Sequence, residues 1–129
     1  MILIDSCGWI EYFGEGPLAN QYAGFIEETE KNMIIMPTIV IYEVYKKIKS
    51  TNGEEKALEV YAQMSLTKVV ELSSALSLKA ADISIKEEVA MADAIVIATA
   101  KAYKAQIITS DQHFKKVNCV KFIDKKNQS

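Results

Sequence analysis

Four acidic residues border or interrupt apolar segments of this chain, and their type and spacing suit chemistry on a metal ion. They are Asp5, Glu43, Asp93 and Asp111. Carboxylates beside buried segments cost free energy unless a positive charge neutralises them. Two carboxylates ~4 Å apart repel by about 4 kcal/mol at an effective dielectric of 20, so a cluster of four needs a cation. A divalent metal ion is the obvious candidate.

The available donor atoms indicate which ion and which reaction to expect. An all-oxygen site suits Mg²⁺ or Mn²⁺, whereas the single histidine, His113, and two distant cysteines, Cys7 and Cys119, offer little to zinc. One or two such ions held by carboxylates can activate a water for in-line attack on a phosphoryl group. The hydroxyls of Ser6 and Thr109 lie within two residues of Asp5 and Asp111 in sequence and could position water or metal. The pattern therefore indicates phosphoryl chemistry.

Each acid also has a purely structural explanation. Asp5 and Asp111 can cap the helices that follow them, and Asp93 can gain from a helix macrodipole. Glu43 can pair with Lys47 one turn later on a helix. Four such coincidences at one edge of a sheet are much less probable than any one alone, which favours a shared site.

The elements that must position these acids alternate between short apolar runs and longer segments of helical period. We expect strands at Ile2–Ile4, Met33–Met36, Lys68–Glu71, Gln106–Thr109 and Lys121–Ile123. We expect helices at Ser6–Phe13, Pro17–Lys31, after Thr38 as N-cap, Glu54–Met64, from Ser73 or Ser74 to Lys86, and Met91–Lys104. This pattern predicts one α/β domain over residues 1–129, with a parallel sheet of about five strands and helices on both faces, and a fraying tail over 125–129. Ligands of such sheets gather at the carboxyl ends of the strands, where all four acids can meet.

Composition limits the classes of protein to consider. The chain has 129 residues, half of them apolar, and a net charge of −2, so it suits one domain without a global basic field. All 15 basic residues are lysines, which argues against base readout by arginine forks. Two distant cysteines signal no disulfide framework, and no signal peptide or membrane span is evident. We therefore expect a cytoplasmic protein.

The ordered motifs resemble a known family. They are the segment 1–9 (MILIDSCGW), Glu43 in a helix, the segment 92–100 (ADAIVIATA) and the segment 108–114 (ITSDQHF). In order and spacing, over essentially the full length, they resemble the PIN-domain nucleases, most closely the VapC-type toxins of prokaryotic toxin–antitoxin pairs. The resemblance implies a metal-dependent endoribonuclease that uses Mg²⁺ or Mn²⁺ and is inhibited by a cognate VapB-like antitoxin. We also expect a homodimer. By position, Asp5, Glu43, Asp93 and Asp111 match the acidic quartet of the family, and Ser6 and Thr109 match its hydroxyl positions.

Two positions depart from the family pattern. Cys7 stands where many relatives have Ser or Thr, a change that we interpret as altering a turn. His113 stands where some members carry a further acid, which leaves open whether one or two ions bind. We weigh His113 as a general base against a surface or capping role, and favour the latter because metal can activate water without a base.

Aromatic and basic side chains suggest partner surfaces. Helical aromatics are expected to lie mostly in the core, with some lining a groove for an antitoxin segment: Trp9, Tyr12, Phe13, Tyr42 and Tyr45. Lysines near the acids either grip RNA phosphates or form solvated faces: Lys46, Lys47, Lys49, Lys115 and Lys116.

Two other functions remain open at this stage. The first is a PIN-fold module that binds RNA or a protein without cutting. The second is a receiver-like domain that accepts phosphate with Mg²⁺. A receiver expects an adjacent acidic pair after the first strand and an aspartate after the third, whereas this chain has Asp5 beside Ser6, and Glu71-Leu72-Ser73.

Overall fold

A computed structural model describes residues 1–123 as one five-stranded parallel sheet flanked by six α-helices. The strands are β1 (Ile2–Ile4), β2 (Ile34–Pro37), β3 (Lys68–Val70), β4 (Gln106–Thr109) and β5 (Val120–Phe122). The helices are α1 (Ser6–Phe13), α2 (Ala19–Glu28), α3 (Thr38–Asn52), α4 (Glu54–Met64), α5 (Ser74–Glu87) and α6 (Met91–Tyr103). The expected fold class is confirmed.

Strand order explains how distant acids come to share an edge. The order is β3-β2-β1-β4-β5, so the chain begins in the middle of the sheet and reverses its winding between β1 and β4. Ile4 pairs with Ile108, and the residues that follow these two strands therefore emerge side by side. A receiver domain has the order 2-1-3-4-5, so this sheet argues against the receiver-like alternative.

Helix bounds agree with the sequence where a strong start or stop signal is present. α1 and α4 match the expected bounds, because Asp5 caps α1 and Gly53, with φ of 91°, separates α3 from α4. Ser73 caps α5 as expected, by accepting a hydrogen bond from Leu76 N at 3.1 Å. Strong caps thus fix these boundaries locally.

Several boundaries differ from expectation. Thr38 is the first residue of α3 and not its N-cap, a position taken by Pro37, whose fixed φ suits the end of a strand. α2 begins at Ala19 and ends at Glu28, because residues 31–33 form a separate 3₁₀ turn before β2. β2, β3 and β5 are each displaced or shortened by a residue. The expected frayed tail, 125–129, lies outside the described residues.

The core packs apolar side chains of the sheet against both helix layers. Gly8 marks a close approach within it: a Cβ there would come within 2.5 Å of both Ile4 and Tyr22. α1 therefore lies close against β1 and α2, which holds the residues at its start in fixed positions. Among the described residues, no helix combines the length and apolar character needed to cross a bilayer.

Candidate active site

Asp5 is the most buried of the four predicted acids. It follows β1 and caps α1, with 3% of its surface exposed. Its Oδ1 accepts a hydrogen bond from Gly8 N at 3.2 Å, and its Oδ2 accepts one from Thr109 Oγ1 at 2.6 Å. Thr109 in turn accepts from Asp111 N at 2.9 Å. This chain of hydrogen bonds connects the ends of β1 and β4.

The electrostatic environment of Asp5 is unfavourable to its charge. Burial raises its pKa from 3.8 to about 6, although the hydrogen bonds from Thr109 and Gly8 act in the opposite direction. Repulsion from Asp111 and Asp93 raises this pKa further. A buried carboxyl with a raised pKa among like charges is a site that a cation would stabilise.

Asp93 and Asp111 meet across His113. Asp93 lies in the first turn of α6, and Asp111 caps the 3₁₀ turn 112–114 by accepting from His113 N at 2.9 Å. The His113 Nδ1 lies 3.3 Å from Asp111 Oδ1 and 3.8 Å from Asp93 Oδ2. Burial, then repulsion from Asp111, raises the pKa of Asp93, while His113 lowers it. The imidazole is 75% exposed, so it borders the acids from the solvent side.

Glu43 joins the group from α3. Burial raises the pKa of its carboxyl, a hydrogen bond from the Ser6 side chain lowers it, and repulsion from Asp93 raises it. The alternative pairing with Lys47 is absent from the ion pairs formed by residues 1–123. Glu43 therefore faces Ser6 and Asp93, as a site residue would.

Cys7 is a potential ligand that the sequence reasoning missed. Ligand atoms of Asp5, Cys7 and Asp111 all lie within 4.8 Å of one another. The expectation that Cys7 only alters a turn overlooked its place in the first turn of α1, two residues after Asp5. A residue that close to an expected ligand, at the start of the same helix, was the available signal.

The predicted acids converge only in part: among the described residues, Asp93 and Glu43 lie outside the group that Asp5, Cys7 and Asp111 form within 4.8 Å. Asp5, Asp93 and Asp111 repel one another, and Glu43 and Asp93 also repel one another. The pKa values of Asp5, Asp93 and Glu43 are raised. Carboxylate oxygens are the ligands that Mg²⁺ and Mn²⁺ prefer. The capping explanations of Asp5 and Asp111 are also correct, since one carboxylate can cap a helix and still face the cluster.

The sequence matches a known protein family. The family model of the PIN domain matches residues 2–118 of this chain. The chain belongs to the PIN-domain family. No curated protein matches this PIN domain significantly.

Solved structures show the same fold at low identity. A toxin–antitoxin complex from Klebsiella pneumoniae is 20% identical, with a TM-score of 0.77 over 94% of this chain and 96% of the other. VapC20 of Mycobacterium tuberculosis, a toxin that cleaves the sarcin–ricin loop, is 14% identical, with a TM-score of 0.79 over 93% and 97%. VapBC2 from Rickettsia felis, bound to a promoter DNA fragment, is 14% identical, with a TM-score of 0.74 over 96% and 100%. The PIN domain and its VapC neighbours support the resemblance noted in the sequence.

The aromatic residues of this PIN domain divide between core and surface. Trp9 is buried and stacks on Phe13, with ring centroids 5.7 Å apart. Tyr12 and Phe13 are half-buried and, with Trp9 and Ile26, line a cavity of about 350 Å³. The expectation that some aromatics line a groove therefore agrees with this geometry, whereas Tyr42, 58% exposed, stands apart on α3.

Proposed function

We propose that this PIN domain is a metal-dependent endoribonuclease and the toxin of a toxin–antitoxin pair. The observation that carries this proposal is the buried Asp5, whose pKa is raised to about 6 beside Asp93 and Asp111. The family match supports nuclease chemistry, and the VapC structures support a toxin.

Asp5, Asp93 and Asp111 would hold one or two Mg²⁺ or Mn²⁺ ions, and Glu43 would be a further ligand or orient water. When bound, such an ion neutralises the carboxylates, polarises a phosphodiester and makes water a better nucleophile. Thr109 and Gly8 fix both oxygens of Asp5 in place. A hydrogen bond from the Ser6 side chain favours the charged form of Glu43. The protein thus supplies a rigid arrangement of negative charge before any ligand arrives.

RNA phosphates would bind to exposed lysines that follow the acids in sequence. Lys47 lies one turn after Glu43, and Lys115 and Lys116 follow Asp111. Lys49 is less suitable, because it pairs with Glu54 at 3.3 Å. Phosphate contacts by lysine release counterions, so the affinity for RNA should fall steeply as salt rises. A flat salt dependence would count against these lysines.

A VapB-like antitoxin would occupy the aromatic cavity formed by α1 and α2. Tyr12, Phe13 and Ile26 offer half-buried or buried apolar walls that suit the apolar side chains of a peptide. A basic residue of that peptide could then reach the acids and compete with the metal. We expect the peptide encoded by the adjoining reading frame to inhibit cleavage and Phe13→Ala to weaken that inhibition. Unchanged activity at saturating peptide would refute this pairing.

A homodimer is supported by an exposed apolar face on α5 and the start of α6. Leu78 and Ile85 lie two turns apart and are 70% and 80% exposed, and Met91 is 70% exposed. Beside them is a groove of about 280 Å³ lined largely by alanine and other apolar side chains. Such a face is usually covered in solution. Light scattering should give a dimer that Ile85→Glu converts to a monomer; a monomeric wild type would contradict the proposal.

Cleavage of total RNA tests the central part of the proposal. We expect wild-type protein to cut RNA in a metal-dependent manner, and Asp5→Asn and Asp93→Asn to abolish cleavage while keeping native circular dichroism. Glu59→Gln, which removes one exposed carboxylate from α4, is the matched control and should stay active. Full activity in both site variants would refute the proposal. RNA binding without cleavage by the wild type would instead identify a silent binding module. We propose the cytoplasm as its location, where RNA is available.

A further inference from the structure

A cavity of about 690 Å³ lies next to the acidic site, between α1, the loop 14–17 and the segment after β4. Two of its lining residues, Cys7 and Asp111, have ligand atoms within 4.8 Å of Asp5. Its volume lies within the roughly 300–1,000 Å³ of typical small-ligand sites. A nucleotide whose phosphate is at the acids would therefore have its base or sugar at the mouth of this cavity.

The walls of this cavity combine apolar and polar groups. Ile10 and Pro17 offer apolar surfaces that can contact the face of a base. Gln112 contributes an amide next to Asp111, whereas the Ser110 hydroxyl is buried and accepts a hydrogen bond from Tyr22 OH at 2.9 Å. A few convergent polar groups on an apolar wall are typical of sites that bind a small aromatic ligand.

Glu11 is the one carboxylate of this wall that lies outside the acidic group. Its Oε2 accepts a long hydrogen bond from Leu18 N at 3.4 Å, and its backbone oxygen accepts from Gly16 N at 2.9 Å. The carboxylate also packs so closely on Gly16 that a Cβ there would collide with it. Oε1 has no hydrogen-bond partner among residues 1–123. Glu11 is thus held by the loop, with one oxygen available to a ligand.

A fixed carboxylate discriminates between the RNA bases by their donors. Cytosine, adenine and guanine each carry an exocyclic amino group that can donate to it, as in the contact of glutamate with the cytosine amine. Uracil has no amino group, and two carbonyl oxygens flank its single N–H and would repel the carboxylate. Single-stranded bases are read by such hydrogen bonds at their edges.

We infer that this cavity is a nucleobase subsite, in which Glu11 selects an amino-bearing base over uracil next to the cleaved phosphate. The inference rests on the proposed function, because it assumes that an RNA phosphate occupies the acidic site. It assigns the substrate preference of the enzyme to a residue outside the acidic group.

The first test maps cleavage ends in a randomised single-stranded RNA. Wild-type protein should disfavour uracil at one position beside the cut by roughly tenfold, the scale of one good base contact. Glu11→Gln keeps an acceptor for Leu18 N and presents an amide donor that suits uracil, so uracil should become acceptable at that position. Glu28→Gln removes an exposed carboxylate from the end of α2 and should leave the profile unchanged.

The second test measures binding of cytidine and uridine monophosphates by nuclear magnetic resonance titration. Wild type should prefer the cytidine nucleotide by roughly tenfold, with shifts at Ile10 and Gln112, and Glu11→Gln should lose the preference. Identical end profiles for active wild type and Glu11→Gln would overturn the subsite while leaving the nuclease proposal intact. A wild-type protein that does not cleave RNA would overturn the proposed function. Equal binding of cytidine and uridine monophosphates by the wild type would overturn the subsite, whether or not the protein cleaves RNA.

Discussion

Replacing Asp5 with asparagine should stabilise the metal-free protein at neutral pH, although it removes a proposed ligand. Burial raises the pKa of Asp5 from 3.8 to about 6. At 1.36 kcal/mol per tenfold change in proton affinity, the rise in pKa means that the charged form of Asp5 destabilises the folded protein by about 3 kcal/mol. The side chain is only 3% exposed, so solvent screening reduces that figure little. We expect the free energy of unfolding to rise by up to about 3 kcal/mol at pH 7.5.

The sign of this effect follows from proton binding. Below pH 3.8, Asp5 is protonated in both the folded and the unfolded chain, so its burial then carries no ionic cost. Between pH 3.8 and about 6 the folded chain binds more protons than the unfolded one, and the stability of the wild type falls as pH rises. Asparagine does not titrate, so the difference between the two proteins should grow across this window and level off above it.

Asparagine can also form hydrogen bonds at this position. Its amide oxygen can accept from Gly8 N, and its amide nitrogen can donate to Thr109 Oγ1, which has a second lone pair beside the one that Asp111 N uses. The substitution removes the charge, but the buried Thr109 hydroxyl loses Asp5 Oδ2 as the acceptor of its own hydrogen, and this loss offsets part of the gain at every pH.

Urea unfolding from pH 4 to pH 8 in the presence of a chelator provides the measurement. The free energy of unfolding of Asp5→Asn should rise relative to that of the wild type from pH 4 to about pH 6.5. Glu59→Gln, an exposed charge removal, should follow the wild type at every pH. A difference in unfolding free energy between Asp5→Asn and wild type that stays constant or falls from pH 4 to pH 7.5 would refute the proposed electrostatic cost of Asp5.

Three further predictions concern packing, the buried hydrogen bonds and metal binding. Gly8→Ala should lower the free energy of unfolding by about 1–3 kcal/mol, because the new Cβ would meet Tyr22 at 2.5 Å. Gly24→Ala has open space around it and should be neutral or slightly stabilising. Equal effects of the two substitutions would contradict this packing. Thr109→Val should lower the free energy of unfolding by about 1–3 kcal/mol, because Asp5 loses a buried hydrogen bond. That hydrogen bond lowers the pKa of Asp5, so the acidic limb of the cleavage–pH profile should move to higher pH. An acidic limb that stays in place would argue against this role of Thr109. Mn²⁺ at 100 times its dissociation constant should raise the free energy of unfolding of the wild type by about 2.7 kcal/mol in urea unfolding. It should leave the stability of Asp5→Asn nearly unchanged. Equal stabilisation of both proteins would place the ion away from Asp5.

The sequence predicts most of the fold because its local signals are strong. α1 and α4 have the expected bounds, since Asp5 and the break at Gly53 act within one or two residues of the helix ends. The start of β2 and the length of α2 were wrong, because the 3₁₀ turn at 31–33 is short and carries no cap that a sequence pattern would reveal.

The grouping of the site residues depends on contacts between distant segments. The strand pairing of Ile4 with Ile108 was expected only as a shared sheet edge, and the hydrogen bond from Thr109 to Asp5 depends on that register. Cys7 was missed because its nearness to Asp111 arises from the tight approach of α1 to β1 at Gly8. Such contacts leave no periodic signal in a single sequence.

Mn²⁺ binding measured together with RNA cleavage shows whether the four carboxylates of Asp5, Glu43, Asp93 and Asp111 form one ion site that cuts RNA. We expect wild type to bind Mn²⁺ in calorimetry and to cleave RNA with the same metal dependence. Asp93→Asn should lose both properties, and Glu59→Gln should keep both. Undiminished Mn²⁺ binding and cleavage in Asp93→Asn would contradict the account.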